Sequence, residues 1–257
     1  MRVPIIAANW KMFKNTAETA DYVGELLPRI NHLSEDVEVV ICPPFTAIPA
    51  LGAALGAEGN RTVKIGAQHM HWEKEGAFTG EVSPAMLRDL GCSYVIIGHS
   101  ERRQHFGETD EQANRRVKAA ISHGLTPIFC LGEVLEERRA GITLSVCSTQ
   151  LHWGLEGLSA EAVSRLVIAY EPVWAIGTGV NATPEDAEEV IRFLRQLLHK
   201  EYGVAAAEAV RIQYGGSVRP DNIKELMSQP NIDGVLVGGA SLQAESFAAI
   251  VNYRGGS

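Results

Sequence analysis

Leu166-Val167-Ile168-Ala169-Tyr170 is an unbroken apolar run that stops at the carboxylate of Glu171 and the ring of Pro172. A strand exposed on one face alternates apolar and polar residues. A short continuous run with β-branched side chains reads instead as a parallel strand buried on both faces. Seven further runs of this kind lie along the chain: Val3–Ala8, Val37–Cys42, Val63–Ala67, Tyr94–Gly98, Thr126–Leu131, Val210–Gln213 and Gly234–Val237. Between them, helical patterns cover Thr16–Ile30, Asp110–Ser122 and Val134–Leu155. Thr183-Pro184-Glu185 opens another helix that runs to Lys200, with Thr as N-cap and Pro at the first helical position. Pro220-Asp221 introduces one more over Asn222–Ser228. Strand and helix alternate eight times without a linker, a charge block or a low-complexity stretch. That pattern predicts an α/β protein, a single eight-stranded parallel β/α barrel domain over residues 1–257. The competing architecture is a doubly wound open sheet. It would need two halves and usually a Gly-x-Gly-x-x-Gly turn, which does not follow the first run.

The 257 residues match the usual size of one such barrel, about 250. The net charge of -8 speaks against a nucleic-acid or membrane-surface binder, and means that an anionic ligand would need positive charge gathered locally. Cys42, Cys92, Cys130 and Cys147 form no Cys-x-x-Cys pair, so neither a zinc site nor a redox motif is expected, and a reducing cytosol fits best. The polar residues Asn9 and Lys11 come too early for a signal peptide, and no apolar run is long enough to span a bilayer. The expected location is cytoplasmic.

Barrel enzymes place their chemistry where strands end and the following loops begin. The first run ends Ala8-Asn9-Trp10-Lys11, the fourth Gly98-His99-Ser100-Glu101 and the sixth Tyr170-Glu171-Pro172. The seventh leads into Tyr214-Gly215-Gly216-Ser217 and the eighth into Gly238-Gly239. One end supplies a cation, one an imidazole, one a carboxylate, and two supply paired glycines. Singly, each has a plain structural reading: a solvated loop residue, a satisfied histidine, a tight turn. Together they converge on one rim. Glycine lets backbone N–H groups approach an oxyanion closely, so two pairs on neighbouring strands favour a phosphate site, with the Ser217 hydroxyl as a further donor.

Four blocks carry a resemblance over about residues 3–251. They are Asn9-Trp10-Lys11-Met12, Gly98-His99-Ser100-Glu101-Arg102-Arg103, the run from Ala169 through Glu171-Pro172-Val173-Trp174 to Gly179, and Gln213-Tyr214-Gly215-Gly216-Ser217-Val218. The chain resembles the triose-phosphate isomerase family. The resemblance implies interconversion of dihydroxyacetone phosphate and D-glyceraldehyde 3-phosphate through an enediolate, without a cofactor or a metal. It implies Glu171 as base, His99 as electrophile, Asn9 and Lys11 as substrate contacts, and Gly177, Ser217, Gly238 and Gly239 as the phosphate site. Glu101 is expected to pair with Lys11. Rival readings are another phosphate-binding barrel such as an aldolase, or an inactive phosphosugar-binding protein.

Three segments extend the picture. Pro172 to Gly179 is too long for a minimal turn and reads as a lid over the phosphate. His69 and His71 are two apart with no close carboxylate or cysteine to complete a metal site, and His69 stands where the family usually has Asn. Gln68 to Ser83 is far longer than the two to six residues usual after a barrel strand, and carries Met70, Trp72, Ala77 and Phe78. It predicts an apolar patch, and the resemblance implies a homodimer in which this loop reaches the partner.

Overall fold

The computed structural model describes residues 2–30, 37–57, 63–176 and 182–255. Eight strands alternate with helices: β1 (Ile5–Asn9), α1 (Thr16–Ile30), β2 (Glu38–Cys42), α2 (Ile48–Ala57), β3 (Val63–Ala67), α3 (Pro84–Asp89) and β4 (Tyr94–Ile97) come first. Then follow α4 (Ser100–Phe106), α5 (Asp110–Ser122), β5 (Thr126–Leu131), α6 (Leu135–Arg139), α7 (Thr143–Leu155), α8 (Ala160–Val163) and β6 (Val167–Tyr170). The chain ends with α9 (Pro184–Ala209), β7 (Arg211–Tyr214), α10 (Ile223–Met227), β8 (Gly234–Val237) and α11 (Ala244–Val251).

Every strand pairs in parallel with its neighbours in sequence, and β8 returns to β1 with Ile5 opposite Gly234, so the sheet closes into a barrel. Alternate residues of each apolar run serve two cores. Ile5, Ala7, Val40, Ile96, Ile128, Val167 and Ala169 fill the barrel, while Ile6, Ala8, Val39, Ile41, Val95, Phe129 and Ile168 pack outward against the helices. Both faces are dry, which is the physical reason the runs are continuous. Gln213 is a fully buried polar exception, and its amide donates to the Ile5 and Val235 carbonyls at 3.2 and 3.1 Å.

The N-terminal end of the barrel is tied by charge. Asp233 accepts Arg195 Nη2 at 2.5 Å, Arg2 Nε at 2.6 Å and the Ile212 N–H at 2.8 Å. With that end locked, the strand C-termini form the open rim where the polar residues gather.

Two helical expectations need correction. The pattern over Val134–Leu155 is two helices, because Gly141 adopts φ 71° between α6 and α7. The helix opened by Thr183 runs past Lys200 to Ala209, broken at Gly203 with φ 84°. A left-handed glycine ends or breaks a helix at almost no steric cost, and the apolar pattern runs across it unchanged.

Candidate active site

Asn9 is the last residue of β1, and the chain turns sharply after it. Lys11 has φ 52°, a left-handed conformation that costs an L-residue on the order of 1 kcal/mol. Both backbone groups of Lys11 are held: its N–H donates to Asn9 Oδ1 at 3.1 Å, and its carbonyl accepts Gln68 Nε2 at 2.9 Å. The same Nε2 reaches the Cys42 carbonyl at 2.9 Å, so one amide ties the ends of β1 and β2 to the loop after β3. The Lys11 ammonium lies 2.6 Å from Glu101 Oε1. The expected Lys11–Glu101 pair is therefore present.

His99 caps α4. Its Nδ1 accepts the Glu101 N–H at 3.2 Å, and Gly107, at φ 66°, closes the helix. Glu171 follows β6 directly and is 1% exposed. Its Oε2 accepts the Ser100 N–H at 2.8 Å, while Oε1 lies 2.9 Å from His99 Nε2. The imidazole N–H is not aligned along that short distance, so Oε1 has no well-directed donor among the described residues.

Burial pushes the Glu171 carboxyl upward, but His99 and the two groups of Ser100 outweigh it and hold the pKa below the ordinary carboxylate value. Burial works against charge on His99, yet Glu171 beside it draws the imidazole pKa upward. The hydrogen-bond pattern opposes that pull. A nitrogen accepting the Glu101 N–H cannot carry a proton, so the ring is neutral with its hydrogen on Nε2.

Asn9, Lys11, His99, Glu171, Ser217, Gly238 and Gly239 line one cleft of about 470 Å³, together with Gly215, Gly216, Leu236 and Ile176. One residue that the sequence places at the phosphate site, Gly177, is not seen beside them. It lies outside the described residues, as do Thr178 and Gly179, which complete the expected lid. The glycines have distinct uses. A Cβ on Gly215 would sit 2.9 Å from Glu171 Cγ, and one on Gly216 would sit 2.3 Å from the Tyr214 hydroxyl. The Gly215 N–H is already spent on the Tyr170 carbonyl at 2.7 Å, so Gly215 makes room for Glu171 and offers no donor to an anion. Gly238 and Gly239, at the start of a 3-10 turn, face the cleft, and a Cβ on Gly238 would lie 3.4 Å from Lys11 Cε. The ammonium and the second glycine pair therefore share one wall.

Several participants carried no early signal. Ser100 matters through its N–H, which no side-chain motif reveals. Glu108, 5% exposed, accepts the Gly98 N–H at 3.0 Å and Arg102 Nε at 2.8 Å, and so fixes the chain before His99. Glu133, fully buried behind β5, accepts Trp174 Nε1 at 2.8 Å and the Tyr170 hydroxyl at 3.1 Å. Glu133 alone of these had a signal in the sequence, a carboxylate two residues past an apolar run where Glu171 stands directly after one.

All four cysteines are buried thiols. Burial, with Glu171 nearby, pushes the Cys130 thiol far up, so it is inert as a nucleophile. Among the described residues no three His, Cys, Asp or Glu side chains converge as a metal would require, and no helix is long and apolar enough to cross a membrane.

The sequence profile of the family described as "Triosephosphate isomerase" matches residues 4–254. A triosephosphate isomerase of Carboxydothermus hydrogenoformans is 59% identical over 98% of both chains. Those of Geobacter metallireducens and Moorella thermoacetica are 56% and 58% identical, over 99% and 98% of this chain and 100% and 99% of their own. Matches at more than half identity that run nearly end to end leave no part of the barrel to another ancestry, and the chain belongs to the triosephosphate isomerase family.

Proposed function

We propose that the chain interconverts dihydroxyacetone phosphate and D-glyceraldehyde 3-phosphate at this cleft, with Glu171 as the base. The observation that carries the reading is Glu171, a buried carboxylate on the wall of the cleft whose Oε1 has no aligned donor and lies 2.9 Å from His99 Nε2. Such an oxygen can take a proton from one carbon and return it to the next. The reaction is internally balanced, since the hydrogen lost at C1 is regained at C2, and it calls for no electron acceptor. Charge builds on the substrate oxygens as the enediolate forms. His99, with its hydrogen on Nε2, donates to that charge, with Lys11 and Asn9 alongside. This family is itself the standing example of a neutral histidine electrophile beside a glutamate base.

The phosphate is held by Ser217, Gly238 and Gly239, with Gly177 from the lid. Glu101 keeps Lys11 in place between turnovers. A Schiff-base aldolase would need a lysine inside the barrel. The described interior is apolar apart from Gln213 and the Arg211, Glu38 and Tyr94 cluster at its closed end, and Lys64 of β3 faces solvent. An inactive sugar-phosphate binder would have no use for an ionised, undonated carboxylate oxygen in a dry wall. The whole chain acts as one domain, in the cytoplasm, as a homodimer joined through Gln68 to Ser83. A coupled assay with glyceraldehyde 3-phosphate tests the activity. Turnover is expected, and its absence in folded protein would overturn the reading.

A further inference from the structure

Glu171 lies just beyond the last ladder pair of β5 and β6, Leu131 opposite Tyr170. Its backbone is seated in a slot between two glycines. On one side a Cβ on Gly132 would fall 1.7 Å from the Glu171 carbonyl oxygen, closer than any side chain could stand. On the other, Gly215 leaves just enough space for Glu171 Cγ. The Gly215 wall is secured by its N–H on the Tyr170 carbonyl. The Gly132 wall has left the sheet, and its two backbone groups turn to a side chain instead. The Gly132 N–H donates to Gln150 Oε1 at 2.8 Å, and the Gly132 carbonyl accepts Gln150 Nε2 at 3.2 Å.

We propose that Gln150 is a positioning residue for Glu171, its amide standing in for the missing strand neighbour and clamping Gly132 against the backbone of the base. The clamp has a firm footing. Gln150 sits on α7, whose Cys147, Leu151 and Leu155 are buried. Gly154 lies so close to Phe129 that an added Cβ would fall 2.1 Å from the ring, and Asn114 Nδ2 holds the Gly154 carbonyl at 3.0 Å. The residues flanking Gly132 are tied to the same stretch, the Leu131 carbonyl accepting the Glu171 N–H at 2.8 Å and the Glu133 carbonyl the Val173 N–H at 3.1 Å, and the Gln150 amide holds the Gly132 groups between them. A cavity of about 140 Å³ borders Gly132, Gln150, Ser100 and Glu171, so a released Gly132 has somewhere to go. Gln150 touches no part of the cleft that holds Lys11 and the glycines of β8, and its effect should be confined to the base.

The proposal rests on Glu171 being the base, and the test keeps the two apart. Gln150→Met keeps length and packing and loses both hydrogen bonds. It is expected to lower kcat roughly 10- to 100-fold, the scale of an ångström-sized misplacement of a reacting group. KM and the inhibition constant of inorganic phosphate should stay near wild type, because the phosphate wall is untouched. Gln150→Glu, which keeps the acceptor for the Gly132 N–H, should recover part of the loss, and carries the test alone if the Met variant does not fold. Wild-type kcat in a folded variant with only a lowered melting temperature would overturn the proposal. So would parallel losses in kcat and phosphate affinity. Glu171→Gln assayed alongside separates the layers: if it is inactive and Gln150→Met is not, only the clamp fails, and if it is active, the base assignment and the clamp fall together.

Discussion

At Glu171 one oxygen is occupied and one is not, and that asymmetry makes its behaviour predictable. Glu171→Gln keeps the shape and still offers an oxygen to the Ser100 N–H, but an amide cannot take a proton. It should lower kcat by about 10²- to 10⁴-fold, the usual worth of a positioned base, while phosphate-analogue binding survives. Near-normal turnover in the purified variant would sink the assignment. Lys11 is a different case, because its ammonium already has Glu101 at 2.6 Å and works in a chain of net charge -8. Lys11→Met should weaken competitive inhibition by inorganic phosphate roughly 10- to 100-fold, the scale of a lost charge-assisted hydrogen bond. Unchanged inhibition would refute it. His69 offers a third test. It is 6% exposed, both ring nitrogens are without an aligned partner among the described residues, and Glu81 and Glu108 stand 3.6 and 3.8 Å away. Burial first, then Arg102, Arg116 and His71, push its pKa down to about 2. The unfolded chain therefore binds a proton at about pH 6.5 that the folded chain refuses, and stability falls as pH drops below that point, by up to about 1.4 kcal/mol per pH unit. Melting curves of wild type and His69→Asn between pH 7 and 4 should diverge, with the Asn variant losing less. Parallel curves would show that His69 titrates normally.

At the scale of the element, the strands were legible and the helices only in part. All eight apolar runs became strands within two residues at either end, because burial on both faces writes an unambiguous pattern. Thr16–Ile30 and Asp110–Ser122 were equally plain, each with polar residues on one side and buried ones on the other. α2 escaped notice because Ile48–Ala57 contains no charged residue, so no amphipathic stripe marks it. The start of α9 was readable from three residues, and the structure shows why. Thr183 Oγ1 accepts the Asp186 N–H at 3.1 Å, the Thr183 N–H donates to Asp186 Oδ2 at 3.1 Å, and Pro184 takes the first helical position. Asp186 also binds Arg138 Nη2 of α6 at 2.7 Å, which joins two neighbouring helices. Thr183→Ala should cost about 1 kcal/mol, a drop in melting temperature of about 2–4 °C for a chain of this size, and Thr183→Ser should cost little. Equal melting temperatures for the Ala and Ser variants would show that the hydroxyl does not cap.

For the whole molecule, closure of the barrel is what turns separate strand ends into a site. Asn9, His99, Glu171, Ser217 and Gly238 are scattered over most of the chain, yet line one cleft because eight parallel strands end on the same side. The sequence could place those residues at strand ends. It could not reveal that Ser100 supplies a backbone donor or that Gln150 braces Gly132, since both depend on how one strand end lies against another. The same geometry bears on assembly. The loop from Gln68 to Ser83 is anchored at its base: Met70 is fully buried, contrary to its expected place on an apolar patch, and its carbonyl accepts Arg116 Nε at 2.9 Å. Trp72 is half-buried with Arg116 over its ring at 4.9 Å. Beyond them, residues 73–81 are all exposed, with Phe78 at 43% tilted against the His71 ring. Met12, Phe13, Met86 and Phe106, on the segments that follow β1, β3 and β4, expose more than half of their surface. So much exposed apolar surface at one end of a barrel is costly in water and is relieved when a second copy covers it. We expect a homodimer with the tip around Gly76–Gly80 as the inserted element. Sedimentation and light scattering should report about twice the chain mass of 27.8 kDa. Replacing residues 73–80 with a short Gly-Ser turn, which spares buried Met70, should yield a monomer that is folded but far less active. An active wild-type monomer would defeat the expectation, and a dimer that survives the replacement would move the contact to the Phe13, Met86 and Phe106 surface.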